Sequence, residues 1–148
     1  MSGRAVMIDS NQGKVLRVVG DTIRVLAGSA DTEGSYEIFE VTGPGESGPP
    51  LHSHPWSESY IVLDGEVEVT VGDSTKTMTK GGFVNIPAEM PHTYKIVSDS
   101  ARFNVITTPS GAGDFFEEMD RVTSGSMNDM EKVVQVAVSH GLKVGGAC

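Results

Sequence analysis

Residues 64–73 read Asp-Gly-Glu-Val-Glu-Val-Thr-Val-Gly-Asp, and the fold turns on them. Val67, Val69 and Val71 point to one side of an extended chain, while Glu66, Glu68 and Thr70 point to the other. Asp64-Gly65 ahead and Gly72-Asp73 behind are turn signals. The stretch is a half-buried strand between two tight turns, the repeating unit of an antiparallel sheet.

The same texture extends from Gly13 to about Pro109. Val15–Val19 and Thr22–Leu26 are β-branched runs separated by Gly20-Asp21, a hairpin signal, and Ser35–Thr42 is a further strand candidate. Gly43 to Pro50 reads as a loop by composition. Leu51–His54 and Glu58–Leu63 flank Pro55, and Thr75–Thr79, Phe83–Ile86, His92–Val97 and Ala101–Thr108 complete the set. Short strands at this spacing, with no helix between them, predict an antiparallel sandwich or barrel and exclude a βαβ fold. Beyond Pro109 the period changes. Gly113–Val122 carries Phe115, Phe116 and Met119, and Asn128–His140 carries Met130, Val133, Val134, Ala137 and Val138 at helical spacing. Asn128 with Glu131 resembles a capping box, and Gly141 stands where a helix-terminating glycine belongs. Two amphipathic helices covering a β-domain are the expectation, with Phe115 and Phe116 in the cover; the other reading has them cap a pocket.

The chain has 148 residues, a length suited to one domain: a barrel over about 13–109 and a helical segment over about 111–142. Eighteen glycines and seven prolines favour turns. Eleven Lys and Arg against twenty Asp and Glu leave a net charge of -9, so binding to nucleic acid or to an anionic membrane is not expected. The one cysteine, Cys148, excludes a disulfide within the chain and a cysteine-based zinc site, and is read as a loose tail. No apolar run approaches the ~20 residues needed to span a bilayer, and the first residues lack the pattern of a signal peptide, so a cytoplasmic protein is expected.

Three of the four histidines fall in the β region. His52 and His54 lie two apart on a strand candidate, on the same side, with Cα atoms roughly 6.6 Å apart. Glu58 follows across the Pro55 bend, and His92 arrives from a distant strand behind Pro87 and Pro91. A lone histidine in a strand is ordinarily a hydrogen-bonded core or surface residue. Three imidazoles and a carboxylate together form a mixed N/O donor set, suited to one divalent Fe, Mn, Ni, Co, Cu or Zn ion and not to Ca²⁺ or Mg²⁺. His140, at a helix end, is assigned no chemistry.

The frame around these residues resembles the two-motif signature of the cupin superfamily. The first motif, His-x-His, three residues, Glu, six residues and Gly, is matched by His52, His54, Glu58 and Gly65. The second is matched at Gly81, Pro87 and His92, and departs at Glu89, where the family has Gly, and at Ile96, where it has Asn. Glu89, in place of the Gly of that turn, could bring a further carboxylate to the site. The flanks Thr107–Glu117 and His140-Gly-Leu142 look like the small single-domain cupins of the quercetin 2,3-dioxygenase-like group.

The resemblance implies a jelly-roll β-barrel with a metal inside its mouth and a homodimer paired through N-terminal strands. It implies His52, His54, Glu58 and His92 as metal ligands, with Glu58 also as the base that takes a proton from a substrate hydroxyl. Tyr60 and Val62 share parity with Glu58, and Tyr94 and Ile96 with His92; these four either line an apolar substrate pocket or belong to the core. Trp56, between ligands, is a gate at the mouth or a plug. The expected activity is a quercetinase-like dioxygenase acting on a small phenolic or enolic compound. The alternatives are a non-redox cyclase or isomerase, such as an aromatic polyketide cyclase, and a non-catalytic small-molecule-binding cupin.

Overall fold

The alternation at residues 67–71 is what the structure buries: Val67 and Val69 are 1% and 4% exposed, while Glu68 and Thr70 stay half-buried. The computed structural model describes residues 3–145 except 125 and 127, so Cys148 lies outside the described residues. Among them are eleven strands: β1 (Val15–Val18), β2 (Asp21–Ala27), β3 (Glu37–Pro44), β4 (His52–Ser53), β5 (Ser57–Asp64), β6 (Val67–Val71), β7 (Ser74–Met78), β8 (Phe83–Ile86), β9 (His92–Ile96), β10 (Ser100–Thr108) and β11 (Lys143–Val144). The helices are α1 (Ser29–Thr32), α2 (Ala112–Thr123) and α3 (Met130–Ser139).

The strands form a six-stranded sheet in the order β1-β2-β3-β10-β5-β8 and a five-stranded sheet in the order β11-β4-β9-β6-β7. Every pairing is antiparallel. No strand pair among the described residues joins the two sheets, so the expected barrel is a jelly roll of two facing sheets rather than a closed hydrogen-bonded ring. Phe39, Phe103 and Val105 from the first sheet meet Val67, Val69 and Ile96 from the second in one core.

Five local expectations are corrected. The hairpin joining β1 and β2 turns on Val19-Gly20, not Gly20-Asp21, because Val18 pairs with Asp21; both turn residues have positive φ, 52° and 86°. The four-residue α1 interrupts the β region, and the expected loop starts two residues late because β3 runs through Pro44. Asp129, not Asn128, caps α3: its carboxylate accepts from the Lys132 N–H at 3.1 Å. The buried stripe of α3 is Val133, Val136 and Ala137, while Met130 and Val138 are exposed.

Gly141, at φ 88°, ends α3 as expected: its N–H reaches Val138 O and that of Leu142 reaches Ala137 O, both at 3.0 Å. This sharp stop sends the chain back across the molecule as β11, a strand not expected from the sequence, which pairs Val144 with His52.

Helix α2 is fixed at its start by a carboxylate. Glu37, 3% exposed, accepts from the backbone N–H of Gly111 at 2.9 Å and of Gly113 at 3.2 Å. A negative charge against a helix N-terminus satisfies donors that the first turn leaves free. This seats α2 across the open end of the sheets.

Candidate metal centre

The two sheets each supply part of one cluster. His52 is on β4, His54 just beyond it and His92 at the start of β9, all from the five-stranded sheet, while Glu58 comes from β5 in the facing sheet. His52 and His92 are direct cross-strand partners, so the sheet register sets their rings side by side, with centroids 4.4 Å apart. The His54 ring lies 5.5 Å from that of His52 and 4.7 Å from that of His92.

All three imidazoles are oriented the same way. Nδ1 of His52 bonds Pro50 O, that of His54 bonds Trp56 O, and that of His92 bonds Met90 O, each at 2.8 Å. A carbonyl only accepts, so each Nδ1 donates and carries the proton of the neutral ring. Each Nε2 is left with its lone pair. One nitrogen from each ring lies within 4.8 Å of one from each of the others. Glu58 Oε2 lies 3.2 Å from His54 Nε2 and 3.1 Å from His92 Nε2.

Donor atoms on neighbouring positions of one ion, with bonds near 2.1 Å, stand about 3.0–3.4 Å apart. The Glu58 contacts have that spacing. Neutral rings offer Glu58 no Nε2–H, so lone pairs and a carboxylate meet at one point, an arrangement that calls for a cation: a proton on a ring or a metal ion. The donor set and its orientation fit a divalent transition metal.

Burial, aided by the charge of neighbouring His92, pushes the His52 pKa down to about 4, so its nitrogen stays free to bind across the physiological range. Burial alone would raise the Glu58 carboxyl. In the metal-free chain, hydrogen bonds and charge from His54 and His92, once a proton sits on their Nε2, outweigh it and hold Glu58 below the usual carboxylate range. Tyr60 donates its O–H to Glu58 Oε2 at 3.2 Å.

His52 and Glu58 open onto a cavity of about 90 Å³, walled by Tyr60, Tyr94 and Phe103 from the sheets and by side chains of both long helices. Of the residues expected to line a substrate pocket, Tyr60 and Tyr94 line this cavity. Val62, Ile96 and Trp56 do not: Val62 and Ile96 lie farther along their strands in the closed core, 2% and 0% exposed. Trp56 instead stacks face-on against the His54 ring, with planes 12° apart, holding that imidazole from behind. Phe115 and Phe116 cover the sheets and form cavity wall as well.

Glu89 is placed differently from the further carboxylate the sequence suggested. Its side chain is exposed and outside the histidine cluster, while its backbone N–H bonds His54 O at 2.8 Å. It holds the left-handed φ of 67° that explains why Gly suits this position. Sequence reasoning missed Asp21, a carboxylate 3% exposed that accepts from Ser47 Oγ and from the Tyr94 hydroxyl. Read as the end of a hairpin turn, it gave no sign of pointing inward.

Comparison with known proteins bears on this geometry. The family described as "Cupin domain" matches residues 38–109. Quercetin 2,3-dioxygenase of Bacillus subtilis is 30% identical over 97 residues, covering 65% of this chain and 29% of that protein. An uncharacterised protein of Streptomyces coelicolor is 32% identical over 56 residues, 38% of this chain and 53% of that one. The chain therefore spans only part of the curated relatives it matches. Among solved structures, an RmlC-like cupin from Shewanella frigidimarina superposes with a TM-score of 0.65 at 16% identity, covering 74% of this chain and 96% of that one. The polyketide cyclase RemF from Streptomyces resistomycificus superposes at 0.62 with 20% identity, covering 70% and 79%. At these identities the structural likenesses speak for the fold.

Proposed function

This chain belongs to the cupin superfamily, and on that premise we propose that it is a metal-dependent enzyme, a quercetinase-like dioxygenase acting on a small phenolic or enolic compound. One observation carries the reading: three imidazole lone pairs and the Glu58 carboxylate converge beside a mostly apolar, partly open cavity. His52, His54, His92 and Glu58 would hold the ion, which supplies Lewis acidity and, where redox-active, electron transfer to dioxygen.

The remaining work falls to the chain. A substrate hydroxyl entering the cavity meets Glu58, which takes its proton and leaves an electron-rich enolate or phenolate. Tyr60, donating to the same carboxylate oxygen, fixes the orientation of Glu58. The helices keep water from the anion, so its charge is offset by the site and not by solvent. Trp56 holds the His54 ring in place.

The same residues serve proton transfer without oxygen, the cyclase or isomerase reading. Elemental analysis of protein purified without a metal-affinity tag, paired with oxygen uptake on flavonols and simpler phenols, separates the two. About one equivalent of Fe, Mn, Ni, Co or Cu with oxygen consumed is the expected result. Zinc without oxygen uptake moves the assignment to cyclase or isomerase chemistry, and no metal leaves a small-molecule-binding protein. The homodimer implied by the family is best supported at the N-terminal segment, where Val6, Met7 and Ile8 are exposed ahead of the edge strand β1.

A further inference from the structure

The cavity holds a second polar group that the proposed chemistry does not use. Tyr94 lines the wall, and its hydroxyl donates to Asp21 Oδ2. Asp21 is buried, accepts from Ser47 Oγ on its other oxygen, and fits only because Gly43 faces it: a Cβ there would overlap Oδ1. The carboxylate thus ties three segments to Tyr94: the β1–β2 turn, the loop leading to His52 and β9.

A phenol has one proton to give. The Tyr94 proton is committed to Asp21 and the Tyr60 proton to Glu58, so both hydroxyl oxygens have only lone pairs left to offer. The two rings stand perpendicular, at 89°, with centroids 6.0 Å apart. Among the described residues no lysine, arginine or side-chain amide lines the cavity. Its polar side chains accept hydrogen bonds and do not donate them. A ligand carboxylate or carbonyl placed away from the ion would find no side-chain donor and would face lone pairs instead.

We propose that Tyr94, held by Asp21, is a specificity-determining hydrogen-bond acceptor that selects neutral ligands carrying a second hydroxyl besides the one handled by Glu58. This rests on the reading of the cavity as a site for phenolic or enolic compounds, and adds the requirement for a donor facing Tyr94. Asp21 is a positioning residue.

The test uses the zinc-loaded protein and three probes: 2,7-dihydroxynaphthalene, its monomethyl ether and 2-naphthol, with affinities read by titration calorimetry. The diol should bind about tenfold more tightly than either of the others, since the ether can accept but not donate at its second oxygen. In Tyr94→Phe that ratio should fall to near one while metal content stays at the wild-type level. A purely structural role would weaken all three probes alike. Equal binding of the three by the wild type, which needs no variant, overturns the inference alone; so does an unchanged ratio in Tyr94→Phe. Failure of every probe to bind overturns the phenolic-ligand reading and this inference with it.

Discussion

Glu58 sits where two imidazoles, a phenol and the cavity meet, and one atom of it can be changed with little change in volume. Glu58→Gln should keep the fold and much of the metal while turnover falls at least 100-fold, the scale expected when a general base is removed; unchanged kcat would remove Glu58 from that role. His52 makes the metal-free fold sensitive to acid. Its folded pKa of about 4 lies below the ordinary 6.5, so between those values only the unfolded chain binds the proton. Stability from this group is whole above pH 6.5 and is lost as the pH falls toward 4, by roughly 3 kcal/mol. Glu58, with a lowered pKa, adds its own loss only below its ordinary 4.5. Urea unfolding of the metal-free protein at pH 7 and pH 4 measures the drop, and His52→Asn should flatten it. At Glu89 the left-handed backbone costs a side chain about 1–2 kcal/mol, partly offset by the greater freedom of glycine when unfolded. Glu89→Gly should therefore stabilise the protein by about 0.5–1 kcal/mol in the same assay.

Motif glycines that look equivalent in sequence are not equivalent in their elements. Gly65, at φ 81° after β5, lies so close to β10 that a Cβ would stand 2.8 Å from Ala101 Cα and overlap the Ser100 carbonyl. Gly81, at φ 86°, has nothing within 4 Å of that position. Gly81→Ala should cost about 1 kcal/mol, the conformational term alone. Gly65→Ala should cost at least 2 kcal/mol more, because backbone must also move; equal costs would show that β10 yields freely. The elements also show what a sequence can reveal. Strand β6 was legible because one face is buried and the alternation records it. The histidine pattern was legible because cross-strand pairing of His52 with His92 needs only a few spacings kept. Strand β11 was not: its two residues are both exposed and carry no pattern. Nor was α1, four residues with none buried. The β1–β2 turn was misread by one residue because Val19, β-branched, holds a φ of 52° that its type disfavours. On the cavity wall, Tyr60 and Tyr94 were named from strand parity, whereas cap and cover stayed open for Phe115 and Phe116, because α2 is seated by Glu37, a single polar residue in a strand that carries no sign of that contact.

At the scale of the molecule, β1 is an open edge, and the exposed apolar residues ahead of it in the chain lie beside Leu26, Tyr36 and Ile38. Met7 is 96% exposed, and charging it should not disturb the interior. If the proposed dimer uses this segment, light scattering should give twice the chain mass for the wild type and the single mass for Met7→Asp. A wild type that is monomeric at micromolar concentration removes the dimer. Among the described residues no helix is long and apolar enough to cross a membrane. A different consequence follows from the pairing of β11 with β4. The two-residue strand that presents His52 is flanked by β9 on one side and by Lys143-Val144 on the other. All four candidate ligands precede Val144 in the chain, so one flank of β4 is filled by a segment that follows every one of them. If β4 needs both neighbours to hold His52 in place, then the docking of Lys143-Val144, and not the folding of the motif strands alone, decides when the four donors can close on an ion.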